Sequence, residues 1–391
     1  RPIRPPIPDP DSPARSKTRM DLQGQNGLMT TFREGWRSRK ASAWLIALAL
    51  LAFYTDLYFF DHLTEPAKAL GLRSKWFLYS ALYSVAMIGG AVYYLRRHGN
   101  ARYNRYRIAT NLGVQLVLAF LLPFVMPLLA GAPEDDYWKY EYFAASIWPL
   151  DHYKLHPSIL RAVPLVLALT TVALAFLVAP LLGFFFGKRW YCSWVCGCGG
   201  LANTFGDPWR HLTATSTASW KFEKVAVHSV MFLAIVSTLL LFVDAFADTG
   251  ETFHAVIAGG EWWSMKSLYG YVVGALLAGL VGVGFYPLFG PRVWCRNFCP
   301  MAALLGLTQK LGRFRIRVKP DMCISCGNCT TYCEMGIDVR SYAQSNESFT
   351  RAACVGCGMC AHVCPRGVLK LENAPTLQED KARQRLPVVN L

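Results

Sequence analysis

Six long apolar runs, separated by short polar segments, dominate the pattern of hydrophobic and polar positions along the chain. Each run has roughly 20 residues, the length that an α-helix needs to cross the hydrocarbon layer of a bilayer. Prolines inside the third and fourth runs are compatible with spanning helices, because neighbouring helices satisfy the carbonyl groups that a proline leaves free. The pattern predicts six spans: Ala41–Phe60, Trp76–Leu95, Ile108–Ala130, Ala162–Phe186, Val225–Phe246 and Leu268–Phe289.

Basic and acidic residues are divided between alternate loops. Five arginines and no acidic residue lie between the second and third runs, and seven Lys or Arg residues separate the sixth run from Asp321. The opposite loops carry the acids, which include Glu134, Asp151, Asp248 and Glu261. Because cytoplasmic loops are enriched in Lys and Arg, the sequence predicts a multi-pass protein of the bacterial inner membrane with both termini in the cytoplasm.

The composition agrees with a membrane protein and changes the interpretation of the net charge. Hydrophobic residues make up 53% of the 391 residues and charged residues only 17%, against about 45–50% and about 25% in soluble domains. A formal net charge of +15 is also found in proteins that bind nucleic acid, but here the basic residues flank the apolar runs. We therefore predict contact with anionic lipids of the cytoplasmic leaflet and no nucleic-acid partner.

Eight of the thirteen cysteines form two runs near the C-terminus. The first run is Cys323-x-x-Cys326-x-x-Cys329-x-x-x-Cys333, and the second is Cys354-x-x-Cys357-x-x-Cys360-x-x-x-Cys364, followed by Pro365. This is the spacing of bacterial ferredoxins with two 4Fe–4S clusters, in which the fourth cysteine of each run ligates the other cluster. The predicted ligand sets are Cys323, Cys326, Cys329 and Cys364 for one cluster, and Cys354, Cys357, Cys360 and Cys333 for the other.

Zinc is the alternative occupant of Cys-x-x-Cys pairs. It needs only four ligands per site and gives no reason for two runs of four, so the spacing favours iron held through these eight cysteines. Glu334 departs from the ferredoxin pattern, because a proline often follows the fourth cysteine, as Pro365 does in the second run. The sequence does not explain this departure.

A second pair of cysteine motifs marks an internal repeat. The segments Gly187-Lys-Arg-Trp-Tyr-Cys192-Ser-Trp-Val-Cys196 and Gly290-Pro-Arg-Val-Trp-Cys295-Arg-Asn-Phe-Cys299 stand 103 positions apart, each after a span predicted to run toward the cytoplasm. Residues four apart share one helical face, so each pair is expected to present two thiols in one direction. The four cysteines thus supply soft ligands for a further iron–sulfur cluster or another redox or metal site, with Cys198 as a spare ligand. A thiol–disulfide relay and buried free cysteines are the alternatives.

These features divide the chain into four regions. Residues 1–40 are Pro-rich and charged, which predicts a disordered or partner-bound cytoplasmic arm. Residues 41–290 form the membrane domain with the internal repeat, residues 291–372 the cytoplasmic two-cluster ferredoxin region, and residues 373–391 a tail. The predicted fold class is an α-helical membrane protein with six transmembrane helices plus a small α+β ferredoxin domain.

Six spans, two Cys-x-x-x-Cys motifs at cytoplasmic helix ends and a following two-cluster ferredoxin together resemble the NapH/NosR-type membrane polyferredoxins over about residues 41–372. Those proteins accompany periplasmic nitrate and nitrous-oxide reductases. The resemblance implies electron exchange between the quinone pool or a cytoplasmic donor and a partner system. In one departure from that family, Gly197 follows Cys196 where a proline is common.

The favoured hypothesis is an electron-transfer subunit of a respiratory or redox complex, and not a stand-alone enzyme. Because a bilayer core of about 30 Å is too thick for one efficient electron hop, the partners expected are other membrane or periplasmic redox subunits, or quinone. A maturation factor that reduces a metal or thiol for another enzyme, and a scaffold with structural clusters, are the alternatives. Haem is not expected, because His228 has no second histidine clearly within a span to complete the axial pair. No residue is predicted to be catalytic.

Overall fold

The structure has the predicted six spans. The computed structural model describes residues 41–72, 74–125, 129, 147–246, 250–259 and 263–373. Six helices of this part are long and apolar enough to cross a membrane. They are α1 (Ala41–Phe59), α2 (Lys75–His98), α3 (Arg102–Gln115, continued as a wider π-type helix over Leu116–Val125), α4 (Leu165–Phe186), α5 (Thr217–Phe246) and α6 (Met265–Gly284). The predicted arm, nearly all of the tail and the acidic residues Glu134, Asp248 and Glu261 lie outside the described residues.

Short elements connect the spans and build the C-terminal region. At one end of the bundle these are the helices Thr64–Ala69, Pro157–Ala162 and Gly250–Ile257 and the 3₁₀ turn His152–Leu155. At the other end are Arg189–Cys192, Gly197–Asn203, the 3₁₀ turn Asp207–Leu212, Tyr286–Phe289, Val293–Asn297 and Pro300–Leu311. The C-terminal region adds the strands β1 (Phe314–Val318) and β2 (Leu369–Asn373) and the helices Asn328–Thr331, Val339–Gln344 and Met359–His362.

The C-terminal region is a small unit packed on the end of the bundle that carries the arginine-rich loop. Strands β1 and β2 pair in antiparallel register, and alternation along β1 buries Phe314, Ile316 and Val318. Tyr103, at the start of α3, donates a hydrogen bond to the carbonyl oxygen of Gly356 at 2.6 Å. The ferredoxin region therefore shares one side of the bundle, called here the basic side, with that loop.

Helix α5 begins at Thr217, well before the predicted start at Val225, because its first turns extend beyond the apolar part of the span. Trp220 lies in this extension, and the guanidinium of Arg351 from the ferredoxin region stands 4.7 Å from the centre of its ring. The extension is thus a contact between the membrane helices and the ferredoxin region.

Each copy of the internal repeat reverses direction at a glycine. Gly187 and Gly290 have φ angles of 68° and 91° with ψ of 178° and 167°, a conformation open essentially to glycine alone. A β-carbon on Gly187 would lie 2.6 Å from Gln309 Oε1, and one on Gly290 would lie 2.5 Å from Thr213 Oγ1. These reversals explain why the repeated motifs begin with glycine.

After the first reversal the chain re-enters the bundle and does not stay at its edge. Asn111 donates a hydrogen bond from Nδ2 to the carbonyl of Cys196 at 3.3 Å, and Gln115 donates from Nε2 to the carbonyl of Val195. These two amides lie about 14 and 20 Å along α3 from its start, at 1.5 Å per residue. Non-helical backbone is tolerated at such depth where it is enclosed by protein. The motif predicted at a helix end therefore packs among the candidate membrane-spanning helices.

Replacing Gly187 with Ala should lower the free energy of unfolding by about 1–3 kcal/mol, the cost of a non-glycine residue in this backbone region, with an added clash against Gln309. Thermal unfolding of the detergent-solubilised protein measures the change. Gly71→Ala is the matched control, because Gly71 has φ +73° but no atom within 4 Å of the added carbon. An unfolding temperature of Gly187→Ala equal to or above that of Gly71→Ala would contradict the packing at the reversal.

Candidate metal centres

One cavity of the ferredoxin region is lined by Cys323, Cys326, Cys329 and Cys364. The first three come from one cysteine run and the fourth from the end of the other run. This is the set that the sequence predicts for one cluster. The backbone N–H of Val368 donates to the Cys364 sulfur at 3.4 Å, as expected for a sulfur that carries negative charge in an iron–sulfur site.

A second cavity is lined by Cys333, Cys354, Cys357 and Cys360, the set predicted for the other cluster. The backbone N–H of Gly356 donates to the Cys354 sulfur at 3.4 Å. Burial raises the pKa of Cys333 and of Cys354 to about 12. Without a positive centre among them these thiols stay protonated, whereas bound iron deprotonates its thiol ligands. The donor set therefore fits a metal cluster.

The two cavities are built by the same local backbone. Gly327 and Gly358 precede the short helices that carry Cys329 and Cys360, and both adopt a left-handed conformation with φ of 79° and 77°. Glycine adopts it without strain. Within the described ranges, no three His, Cys, Asp or Glu side chains converge closely enough to hold a single metal ion. The cysteines instead surround a space, as the ligands of a cuboidal cluster do.

The repeated motifs bring five more cysteines together. Cys192, Cys295 and Cys299 are 4%, 6% and 6% exposed and belong to one buried cluster. Cys196 and Cys198 pack against the same cluster. We call this group the five-cysteine site. Its side chains converge from both copies of the repeat, and its donor set of soft thiols fits an iron–sulfur cluster.

The helical geometry expected for each Cys-x-x-x-Cys pair is wrong. Cys192 ends the helix Arg189–Cys192, and Cys196 stands in extended backbone before the helix Gly197–Asn203. Cys299 likewise precedes the helix that Pro300 starts. A turn between two short helices separates the cysteines of each pair, because glycine and proline follow the second cysteine. Cysteines of both copies nevertheless share one buried cluster, which contains Cys192, Cys295 and Cys299.

Two hydrogen-bonded links connect the five-cysteine site to the second ferredoxin cavity. The Ser193 hydroxyl donates to the Val355 carbonyl at 2.7 Å, which joins the neighbours of Cys192 and Cys354. Arg292 donates to the Cys295 sulfur at 3.6 Å and to Glu334 Oε1 at 3.0 Å. Glu334 is the neighbour of Cys333.

Glu334 is the centre of a buried ion network. Its side chain is 0% exposed and lies between Arg292 at 3.0 Å and Arg210 at 2.7 Å, and Arg210 also pairs with Asp207 at 2.6 Å. Burial by itself raises the pKa of the Glu334 carboxyl group. The positive charges of Arg210 and Arg292 together outweigh burial, so the pKa lies below its ordinary value. This network explains the residue that stands in place of proline, and no sequence pattern indicates it.

Ionisable side chains of the spans and of the loops opposite the basic side have ordinary partners outside the cysteine sites. Asp56 pairs with His62 at 2.6 Å, and Asp244 pairs with His254 at 2.8 Å. His228 donates from Nδ1 to the carbonyl of Lys224 in its own helix at 2.7 Å. His152 is buried against the ring of Tyr269, with centroids 4.3 Å apart.

Comparisons with known proteins match the regions that hold these cysteines. A 4Fe-4S dicluster domain model matches residues 316–371, and a 4Fe-4S binding domain model matches twice, at residues 169–212 and 272–319. The second model therefore covers both copies of the internal repeat. No solved structure matches the chain significantly.

Curated relatives share less than a third of their aligned residues with the chain. The putative electron transport protein YccM of Escherichia coli is 28% identical over 40% of this chain and 44% of its own length. Methylamine utilization ferredoxin-type proteins MauN of Methylobacillus flagellatus and Paracoccus denitrificans are 26% and 27% identical, over 38% and 40% of this chain and 50% and 52% of their own lengths. The chain thus spans about half the length of these relatives.

A bundle of six candidate membrane helices is joined to a region that matches a 4Fe-4S dicluster domain, as in a membrane polyferredoxin. The chain therefore contains domains that bind 4Fe–4S clusters, and relatives that match it include a putative electron transport protein.

Proposed function

We propose that the chain passes single electrons between its two ferredoxin clusters and a quinone in the bilayer by way of the five-cysteine site. It does so as a subunit of a respiratory or redox membrane complex. The ferredoxin region faces the cytoplasm of the inner membrane, where anionic lipids meet the basic side. The observation that carries the proposal is a cavity among the membrane helices that has Cys198 in its wall.

The lining of this cavity suits a ligand that consists of an apolar ring with a few polar atoms. Its volume is about 410 Å³, within the range of about 300–1,000 Å³ common to small-molecule sites. Aromatic side chains of α2 form one wall and the Gln115 amide of α3 forms another. The Tyr83 hydroxyl donates to Gln115 Oε1 at 3.0 Å. Trp76, 41% exposed, stands at the end toward the lipid.

The proposed route follows the links described above. Eight ferredoxin cysteines hold the two clusters, and Cys192, Cys196, Cys295 and Cys299 hold a third, with Cys198 beside the quinone cavity. The clusters supply one-electron redox chemistry. Hydrogen bonds of Ser193 and Arg292 hold the five-cysteine site against the ferredoxin region. The Tyr83 hydroxyl and the Gln115 amide orient each other in the cavity wall. Because the repeat re-enters the bundle, the chain itself covers part of the membrane thickness.

Filling the cavity wall should block quinone exchange. In Gly197→Ala the new methyl group would lie 2.6 Å from Gln115 Oε1 and 2.8 Å from the Tyr83 hydroxyl. We expect oxidation of the dithionite-reduced protein by a short-chain quinone to slow by about tenfold or more, the effect of a misplaced group in a binding site. Stopped-flow absorbance of the clusters measures the rate in proteoliposomes.

Gly113→Ala is the matched control, since Gly113 lies in α3 with no atom within 4 Å of an added carbon. Tyr83→Phe tests the same wall without added volume. Iron content must be equal in all three variants. Unchanged quinone oxidation rates in both Gly197→Ala and Tyr83→Phe would contradict the proposal that this cavity binds quinone.

A maturation factor is the second candidate. Cys196 and Cys198 favour it, because they stand two positions apart in the chain and pack against one buried cluster, and neighbouring thiols can reduce a metal ion or a disulfide. A stoichiometric redox subunit that co-purifies with the chain supports the first function. Transient association with an unassembled metalloenzyme supports the second.

A further inference from the structure

A second cavity of about 450 Å³ opens where α5, the helix Pro300–Leu311 and the ferredoxin region meet. We call it the basic cleft. Its walls carry five cationic side chains and one acidic side chain: Lys188, Lys224, Arg296, Lys310, Arg351 and Glu223. Arg296 and Glu223 pair with each other at 2.8 Å. The other four cations therefore face the cleft without a carboxylate from the described part of the chain.

Lys188 is the least usual of the four. It is 2% exposed, and the contact of its ammonium group is with the Ala302 carbonyl at 3.4 Å. A buried ammonium group is costly unless an anion lies near it. Lys224 and Arg351 stand over the ring of Trp220, at 3.9 and 4.7 Å from its centre. These contacts hold two more positive groups at the cleft.

The remaining wall is apolar. Val227, Ala303 and Leu307 line it, and Leu307 is 44% exposed. On other faces of α5, Phe222 and Val225 are 52% and 68% exposed, as expected for side chains that contact lipid. A ligand that fits both walls has an anionic group at one end and an apolar chain at the other.

We propose that the basic cleft binds the phosphate head group of an anionic phospholipid, with its acyl chains along α5 and the helix Pro300–Leu311. Basic pockets between membrane helices on the cytoplasmic side bind such head groups. The inference gives the lipid partner proposed above a defined site and rests on that proposed orientation. The phosphate connects Arg351 of the ferredoxin region to Lys224 of α5. It also neutralises Lys188, which lines the same cleft.

Native mass spectrometry of the intact protein with added phosphatidylglycerol or phosphatidylcholine tests the site. We expect one phosphatidylglycerol to stay bound per chain and phosphatidylcholine to dissociate. In the double variant Lys224→Gln/Lys310→Gln, binding should weaken by about tenfold or more, because each basic residue near an anionic lipid contributes measurably. Lys221→Gln is the matched control, since Lys221 is exposed on the same helix and does not line the cleft.

Iron content and the cluster absorbance report folding of each variant, and a variant that loses iron is replaced by Arg351→Gln. Equal retention of the two lipids overturns the proposal, and so does equal retention of phosphatidylglycerol by the double variant and Lys221→Gln. Binding of inorganic phosphate that phosphatidylglycerol does not displace overturns it as well, in favour of a soluble ligand. Quinone oxidation rates, measured separately, distinguish a failure of the lipid site from a failure of the electron-transfer proposal.

Discussion

Replacement of Glu334 by Ala is expected to lower the free energy of unfolding by about 3–5 kcal/mol and to loosen the ferredoxin region from the bundle, because a broken buried ion pair leaves an uncompensated charge. Here two guanidinium groups, those of Arg210 and Arg292, lose their shared carboxylate. Thermal unfolding and limited proteolysis between the two regions measure the effect. Because the folded pKa of Glu334 is lowered, its contribution is present at neutral pH and is lost as the pH falls below about 4.

Two further variants make this result specific. Glu347→Ala removes an exposed carboxylate of the same region and should change stability by less than about 0.5 kcal/mol. Glu334→Gln keeps hydrogen-bonding atoms but not the charge, and should fall between Glu334→Ala and the wild type. An unfolding temperature of Glu334→Ala equal to that of Glu347→Ala would show that the network does not hold the regions together.

Replacement of Cys295 by Ser is expected to remove about four irons per chain, one cluster's content, and to abolish electron exchange with quinone. The two ferredoxin clusters should keep their electron paramagnetic resonance signals, because none of their eight proposed ligands is changed. Iron analysis, the spectra and the quinone rate are measured on one preparation. The loss of one cluster is expected because Cys295 is a buried member of the five-cysteine site, with 6% of its surface exposed.

Cys364→Ser is the converse variant, in which a ferredoxin cluster is changed and the five-cysteine site is not. It changes a proposed ligand of the ferredoxin cluster farther from the five-cysteine site, and should lose a ferredoxin signal while keeping the signal of that site. Loss of the same signal in Cys295→Ser and Cys364→Ser would mean that the five-cysteine site holds no separate centre.

Much of the fold and of the ferredoxin sites follows from sequence patterns. Apolar runs of membrane length need no tertiary information to be recognised, and all six appear as helices. The spacing of the eight C-terminal cysteines predicted how they divide between two sites, and each cavity is lined by one predicted set. The assignment of individual ligands stays a prediction.

The depth of the repeated motifs did not follow from the sequence. Cys192 and Cys196 come after a span, which placed them at a helix end, yet Asn111 and Gln115 draw the loop into the bundle. These amides lie 85 and 80 residues away in the chain from the carbonyls they bind, and no local pattern indicates their contact with the loop. Pairing of this kind is decided by tertiary packing.

Two departures from the family pattern have structural reasons that only three-dimensional contacts reveal. Gly197 packs against Gln115 and Tyr83, where a β-carbon would clash. Glu334 lies between Arg210, which follows the first repeated motif, and Arg292, which lies in the second. Both residues look like irregularities in the sequence, and both lie where the repeat meets its surroundings.

Iron and acid-labile sulfide per chain, measured on the purified wild-type protein together with its electron paramagnetic resonance spectrum, test the five-cysteine site most directly. About twelve irons and three distinct 4Fe–4S signals are expected if that site holds a cluster. About eight irons and two signals, with no change in Cys295→Ser, would contradict the proposed relay.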